Sequence, residues 1–256
     1  MPQTSLQTNV TEQAIREGLT ELGIGRGQVV IVHSSIKSFG KVVGGADVVI
    51  DALCQAVGGE GAVVMPTFTY GDVHQLTDAE KARGFRWKIK HAPFDPSSTP
   101  CKTGLIPETF WRREGVARGD HRTHSFAAWG NEAKILSQGM STMLAKDPLV
   151  LLLGVDINSC SAMHEAEERV TLPPSISSLM IVPSDVRATY PEDQWDIGFG
   201  PEPAWNLVYE DAVKQGLVRE CRIGSGRCSA FRANAIVSLY ESYLRDRPAE
   251  LFHNGS

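Results

Sequence analysis

The chain has 256 residues, 42% of them hydrophobic and 21% charged, with a formal net charge of −5. At about 150 residues per domain that is one large domain or two small ones, with enough apolar content for a core. The composition excludes a disordered chain, a collagen and a coiled coil, and the acidic balance argues against nucleic acid as a partner.

The first residues hold no basic patch followed by an apolar run, and no apolar stretch nears the ~20 residues of a membrane helix. A cytoplasmic protein without a membrane partner is expected. The five cysteines are Cys54, Cys101, Cys160, Cys221 and Cys228. An odd number without a CxxC pair suits neither a disulfide framework nor a zinc site.

Thr11 to Leu22 carries apolar residues at Ala14, Ile15, Leu19 and Leu22. That spacing predicts a helix with Thr11 as its N-cap, ended by Gly23 and Gly25. The β-branched run Val29 to Val32 predicts a central strand closing on His33-Ser34-Ser35. Ala46 to Val57 is a second amphipathic helix, bounded by Gly44-Gly45 and Gly58-Gly59. Ala62 to Met65 is a strand closed by Pro66. Strand, helix and strand at this spacing predict a parallel βαβ unit. Residues 71–100 are polar and aperiodic, and are expected either as a functional loop or as a segment carrying short elements that the sequence does not reveal. Leu105 to Arg113 reads as a helix and Phe126 to Trp129 as a strand. Asn131 to Gln138 and Ser141 to Leu144 read as short helices. Leu149 to Val155 is the clearest buried strand, followed by a short helix from Ala162 to Arg169. Leu179 to Pro183 is a candidate strand. Trp205 to Gly216 and Ser229 to Arg245 read as helices. No repeat or linker interrupts the chain. The expectation is a single α/β domain over residues 1–256, with a mixed, largely parallel central sheet flanked by helices.

Two of the seven histidines fall at or just past a strand's C-terminal end, where α/β folds often place chemistry. His33 follows Val29 to Val32, and His164 follows Leu149 to Val155 after a short turn. His121 and His124 precede a candidate strand. For each, an ordinary hydrogen-bonded structural histidine is the plainer reading. His164 and Glu167 stand at i and i+3, so on a helix they share a face. A carboxylate beside an imidazole fixes its tautomer and favours its protonation during turnover. Ser161, three residues earlier, places a hydroxyl near the same point. The competing reading is a solvated helix rich in Glu165, Glu167 and Glu168.

The segment His33 to Gly40 is a polar strand end leading into a helix N-terminus, which suits an anion. The P-loop string GxxxxGK followed by Ser or Thr, the GxSxG string and the HExxH string are absent. Gly224-Ser225-Gly226 lacks a third glycine and follows no convincing strand. A nicotinamide cofactor, Walker-type ATP binding and a catalytic metal are therefore not expected.

Six strings in order resemble one family. They are Val32-His33-Ser34-Ser35 to Gly40; Gly61-Ala62-Val63-Val64-Met65-Pro66-Thr67; Phe94-Asp95-Pro96 with Gly104 to Glu108; Arg118-Gly119-Asp120-His121; Ser125-Phe126-Ala127-Ala128-Trp129-Gly130; and Met163-His164-Glu165-Ala166-Glu167. Together they resemble the aminoglycoside 3-N-acetyltransferase family. The resemblance implies acetyl transfer from acetyl-CoA, a co-substrate, to the 3-amino group of an aminoglycoside. It implies an α/β fold distinct from the commoner N-acetyltransferase fold. His164 would be the general base and Glu167 its partner, with Ser161 near the thioester and His121 also at the catalytic centre. His33, Ser34, Ser35, Ser38, Phe39 and Gly40 would hold the pantetheine and phosphates, with Arg118 and Ser125 near CoA. Tyr70, Asp72 and Asp156 are taken as acceptor-side residues. Asp185, Asp193 and Asp196 are further carboxylates for a polycationic small-molecule amine, although Asp is equally at home in turns. A monomer or homodimer is expected, with no metal.

The sequence departs from the family where Arg-Ser-x-His-Pro reads Arg118-Gly119-Asp120-His121-Arg122. Loops 71–93 and 184–203 are also the least family-like. An acyltransferase for another amine, or a non-catalytic binder of a CoA ester or cationic ligand, are the alternatives. An amine is mostly protonated at pH 7 and must lose a proton before attacking a thioester, which suits a histidine base. Backbone N–H groups or Ser161 would stabilise the oxyanion. Cys160 is the rival nucleophile, whose use would give ping-pong kinetics.

Overall fold

A computed structural model describes residues 9–252. His253 lies outside them. Its strands are, in chain order, β1 Val29–Ser34, β2 Ala62–Pro66, β3 Asp72–Val73, β4 Phe85–Lys90, β5 Ala117–Arg118, β6 Phe126–Gly130, β7 Leu149–Leu153, β8 Trp195–Phe199, β9 Arg219–Ile223 and β10 Gly226–Arg232. Seven of them form one sheet in the order β5-β6-β2-β1-β7-β10-β9, and β3-β4-β8 form a small second sheet.

β1 pairs in parallel with both β2 and β7. These central strands read as unbroken apolar runs because both their faces are buried. The outer pairs, β2 with β6, β6 with β5, β7 with β10 and β10 with β9, are antiparallel. The expectation of a largely parallel sheet thus holds for its centre alone. The β9–β10 connection is a tight turn, and such a turn joins only antiparallel strands.

The helices Glu12–Glu21, Gly45–Val57 and Leu105–Trp111 pack on one face of the large sheet. The helices Met140–Leu144, Met163–Arg169, Trp205–Lys214 and Ala233–Asp246 pack on the other. Thr11 caps the first as expected, its hydroxyl accepting from the Ala14 N–H at 3.3 Å. Along β1, Val30 and Val32 face the first layer and Ile31 faces the second. The same alternation aims His33 at the second layer and Ser34 at the first.

Three expectations are corrected. Ser229 to Arg245 is not one helix: β10 runs to Arg232, and the helix starts at Ala233. Cys228 to Arg232 pair one for one with Leu153 to Leu149, and that buried ladder outweighs local helical spacing. Gly224-Ser225 is accordingly a hairpin turn after a real strand, with Gly224 at φ 59°. Leu179 to Pro183 is not a strand but a short 3₁₀ turn, Ser178–Met180, followed by extended chain, with Leu179 and Ile181 48% and 67% exposed. Of the two readings of residues 71–100, the one with short elements matches the structure. They hold β3, β4 and the helix Asp78–Ala82, which Thr77 and Glu80 close with a capping box.

Candidate active site

Because β1, β2 and β7 are parallel, their C-terminal ends share one edge of the sheet. After β7 the chain passes through a 3₁₀ turn at Ile157–Ser159 into the helix Met163–Arg169. Met163 and Ala166 are buried, which turns His164 and Glu167 outward. His164 Nδ1 lies 2.9 Å from Glu167 Oε2. The second carboxylate oxygen, Oε1, accepts from the Tyr240 hydroxyl at 2.9 Å and from Trp205 Nε1 at 3.3 Å. Burial alone would raise the Glu167 carboxyl, but the hydrogen bond and charge of His164, then the Tyr240 and Trp205 donors, outweigh it and hold it below the usual range. A carboxylate only accepts, so in the neutral ring Nδ1 carries the proton and Nε2 the lone pair. The edge of Trp205 meets the imidazole with ring centroids 4.9 Å apart. Burial, then the Glu167 charge, pushes the Tyr240 hydroxyl far up, so it stays a donor.

A second group of rings lies nearby. His124 packs edge-on against Phe68 at 4.8 Å, Tyr70 at 5.7 Å and His121 at 5.7 Å. Its pKa is lowered by desolvation first, then by the charges of His121 and His164, with Asp196 opposing them. His121 turns back on its own loop, its Nδ1 accepting from the His124 N–H at 3.0 Å. Tyr70 holds its place at a positive φ of 51°, and burial pushes its hydroxyl up to about 12.

The departures from the family string have a packing basis. A side chain at Gly119 would overlap the Ser137 carbonyl oxygen, so a serine does not fit this backbone. Arg122, where the family has proline, places Nη1 3.2 Å from His91 Nδ1. The Asp193 carbonyl lies 3.2 Å from that same nitrogen. This contact ties the small sheet's end to the loop of His121 and His124.

Several of the candidate ligand residues make structural contacts within the protein. Arg118 donates from Nε to the Thr67 and Ser125 hydroxyls, from Nη1 to the Thr99 carbonyl at 2.6 Å, and from Nη2 to the Thr67 carbonyl at 2.9 Å. Trp111 lies beneath the guanidinium at 4.5 Å. Each of its three nitrogens meets a protein acceptor, so Arg118 clamps the Thr67, Thr99 and Ser125 segments together. Ser125 is buried and donates to the Thr67 carbonyl at 2.8 Å. Phe39 is core, seated so close to Gly226 that a Cβ there would lie 2.6 Å from its ring. Ser38 donates to the Gly154 carbonyl at 2.6 Å, and Gly40 ends the short helix Ile36–Phe39 at φ 89°. Asp156 caps the 3₁₀ turn, accepting from the Asn158 N–H at 3.0 Å. Asp72 is exposed on β3, opposite Lys90.

Other residues keep free chemistry. His33 Nε2 and Ser34 Oγ are the two buried side-chain polar atoms without a partner among the described residues. Burial lowers the His33 imidazole to about 4, so it is neutral. Ser35 stands beside them, its N–H donating to the Leu153 carbonyl at 2.9 Å. Ser161 is half-buried at the entry to the His164 helix. Cys160 is fully buried, and burial pushes its thiol up to about 12. Among the described residues no group of three or more His, Cys, Asp or Glu side chains is placed to hold a metal ion. No described helix is long and apolar enough to cross a membrane.

Sequence reasoning missed Trp205 and Tyr240. Tyr240 sits in the apolar stripe of the last helix and reads as core. Only the position of Glu167 reveals its hydroxyl's task.

The aminoglycoside 3-N-acetyltransferase family model matches residues 31–245. The chain belongs to this family of acetyltransferases. It is 30% identical to the SPbeta prophage-derived aminoglycoside N(3')-acetyltransferase-like protein YokD of Bacillus subtilis, over 91% of this chain and 92% of that one. It is 31% identical to aminoglycoside N(3)-acetyltransferase VII of Streptomyces paromomycinus, over 93% and 92%. Among solved structures, the aminoglycoside acetyltransferase AAC(3)-IVa apoenzyme superposes with a TM-score of 0.74 at 22% identity, over 97% and 94% of the two chains. The Bacillus subtilis YokD structure gives 0.71 at 25% identity, over 95% and 96%. The fold is the one these proteins share, distinct from the commoner N-acetyltransferase fold.

Proposed function

We propose that the protein moves the acetyl group of acetyl-CoA onto the 3-amino group of an aminoglycoside, in one direct step, and that residues 1–256 work as a single acetyltransferase domain. The observation that carries this is the imidazole of His164, exposed to solvent, held at Nδ1 by Glu167 and with Nε2 unpartnered among the described residues. Nε2 takes a proton from the acceptor amine as its nitrogen attacks the thioester carbonyl. Glu167 steadies the imidazolium that results, and Tyr240 and Trp205 hold Glu167. Return of the proton to the departing thiolate restores the neutral ring. Ser161 is the side-chain candidate for a donor to the developing oxyanion. The high Cys160 pKa supports direct transfer over an acyl-cysteine.

The strand end at His33, Ser34 and Ser35 suits the pantetheine arm. It offers two orphaned buried polar atoms, which a ligand's amide groups would satisfy. Ser38, Phe39 and Gly40 shape that turn from behind. The co-substrate and acceptor are supported by relatives of the same fold: AAC-IIIb is solved in a binary complex with CoASH, AAC(3)-IVa with apramycin and with a gentamicin, and AAC-VIa with sisomicin.

The test is purified protein with acetyl-CoA and a panel of aminoglycosides, read out by thiol release and by the site of acetylation. Turnover at the 3-amino group is expected. Thiol release with none of them overturns the acceptor assignment.

A further inference from the structure

We infer that Arg122 is a positioning residue: by holding His91 it keeps the small sheet β3-β4-β8 closed against the loop of His121 and His124, and so sets the affinity for the acceptor. The inference rests on the function proposed above. Arg122 stands where the family string has proline, a residue with no side-chain donor, so the contact belongs to this chain.

The small sheet is an appendage. Its strands make their extensive contacts with one another and with the helix Asp78–Ala82. Phe85, Val186 and Ile197 form a core of their own, separate from the two that flank the large sheet. Such a unit moves against the body unless particular contacts hold it. Those contacts lie at its two ends.

At one end β4 starts and β8 stops. The Gly200 N–H donates to the Gly84 carbonyl at 2.9 Å, and a side chain at Gly200 would overlap the Leu179 carbonyl oxygen. Arg86 pairs with Glu202 at 2.8 Å and donates to the Pro201 carbonyl at 3.4 Å. Trp205, whose ring meets the His164 imidazole, follows Glu202 closely in the chain. This end is packed and bound by the chain itself, so it is the hinge.

At the other end the His91 N–H closes the ladder on the Gln194 carbonyl at 2.8 Å. Arg122 reaches across to it, with Nη1 3.2 Å from His91 Nδ1. A guanidinium only donates, so Nδ1 holds the lone pair and the neutral ring carries its proton on Nε2. The Asp193 carbonyl, 3.2 Å from the same nitrogen, is itself an acceptor and cannot bond to that lone pair. Nδ1 therefore takes its hydrogen bond from Arg122. The backbone of Arg122 is fixed in turn: its carbonyl accepts from the Thr69 hydroxyl, and the Thr69 N–H donates to the Thr123 carbonyl at 3.0 Å. Thr69 precedes Tyr70, whose ring meets His124 at 5.7 Å. The sheet thus bridges from Trp205, beside His164, to the loop of His124, and an acceptor bound between those ring groups meets it. A contact that holds this wall closed raises the fraction of molecules ready to bind. Its loss weakens the apparent affinity by that fraction and leaves the bound complex, and so kcat, as it was.

The test compares wild type with Arg122→Ala, Arg122→Lys, His91→Ala and the double variant Arg122→Ala/His91→Ala on the best acceptor of the panel above. Arg122→Ala is expected to raise KM for the acceptor about fivefold, with kcat and KM for acetyl-CoA within about twofold of wild type. Lysine, which also donates, should bring KM back to within about twofold of wild type. His91→Ala should match Arg122→Ala, and the double variant should be no worse than either. Hydrogen exchange on the free protein gives a readout independent of turnover. Residues 88–94 and 119–124 should exchange faster in Arg122→Ala, while β1, β2 and β7 keep their rates. An unchanged acceptor KM, a fall in kcat in its place, a lysine variant as impaired as alanine, or additive losses in the double variant overturns the inference. If the wild type acetylates no aminoglycoside, the proposed function falls and hydrogen exchange decides the latch by itself: equal rates in wild type and Arg122→Ala overturn it, and faster exchange at both segments sustains it.

Discussion

Arg118 and His164 both come from the strings that carry the family resemblance, yet they are built in opposite ways. Each donor nitrogen of Arg118 meets a protein oxygen, and an indole lies beneath it. His164 is 62% exposed at its side chain, with one nitrogen held and the other open. The number of polar atoms already committed to the protein differs between a residue built into the scaffold and one left free to act. The place of a residue in a motif does not tell the two apart.

The largest effect that tests this contrast is His164→Ala. Loss of a positioned base is expected to lower kcat about 10³-fold, or about 4 kcal/mol, with acetyl-CoA affinity and melting temperature unchanged. A variant that kept the wild-type rate would remove His164 from the chemistry. Arg118→Ala should do the reverse. It orphans the Thr99 carbonyl and leaves the Thr67 carbonyl to Ser125 alone beside a half-buried void, so a loss of about 2 kcal/mol of stability is expected in denaturant titration. The folded fraction should keep its kcat. If instead stability held and KM for acetyl-CoA rose, Arg118 would be a ligand contact and the contrast would collapse.

Glu167→Gln comes next, because it keeps the shape but removes the charge. The amide still reaches His164, Tyr240 and Trp205, yet one of its ends must now present an N–H where an acceptor is needed. A fall in kcat of about 30-fold is expected, with unchanged KM for the acceptor. A larger KM effect would mean that Glu167 meets the acceptor directly.

What could be read in the sequence follows the range of the forces involved. β1, β2 and β7 bury both faces and so appear as apolar runs, and His164 with Glu167 appears as an i, i+3 pair. Local geometry determines each. β4 was hidden although Phe85-Arg86-Trp87-Lys88-Ile89-Lys90 alternates, because its partner β8 begins only at Trp195. β10 merged with the helix after it, since its ladder to β7 is equally long-range. The same distance in sequence conceals the saturation of Arg118 and the burial of Phe39 against Gly226. Tyr240 and Trp205 stayed hidden because a ring in an apolar stripe looks the same whether or not its polar atom has work to do.

His33 sharpens the comparison, being neither saturated like Arg118 nor exposed like His164. It is 4% exposed, Nε2 has no partner, and burial lowers its pKa from 6.5 to about 4. Between those values the unfolded chain binds a proton that the native imidazole refuses. Stability must therefore fall as pH falls through this window. From pH 7 to pH 5 the expected loss from this one group is about 2 kcal/mol. The lowered Glu167 carboxyl contributes stability above the carboxylate range and loses it only below, so it leaves this interval nearly undisturbed. His124 shifts in the same direction as His33 and adds to the slope, so the decisive reading is a difference between proteins. Denaturant titrations of wild type and His33→Leu at pH 7 and pH 5 should show the wild type losing about 2 kcal/mol more. Equal losses would mean that His33 takes up a proton in the folded state, with Nε2 reaching an acceptor after all. A ligand group that occupies the strand end and accepts from Nε2 should shrink the same difference. Repeating the pair with saturating CoA would then show whether the orphaned nitrogen faces the pantetheine arm.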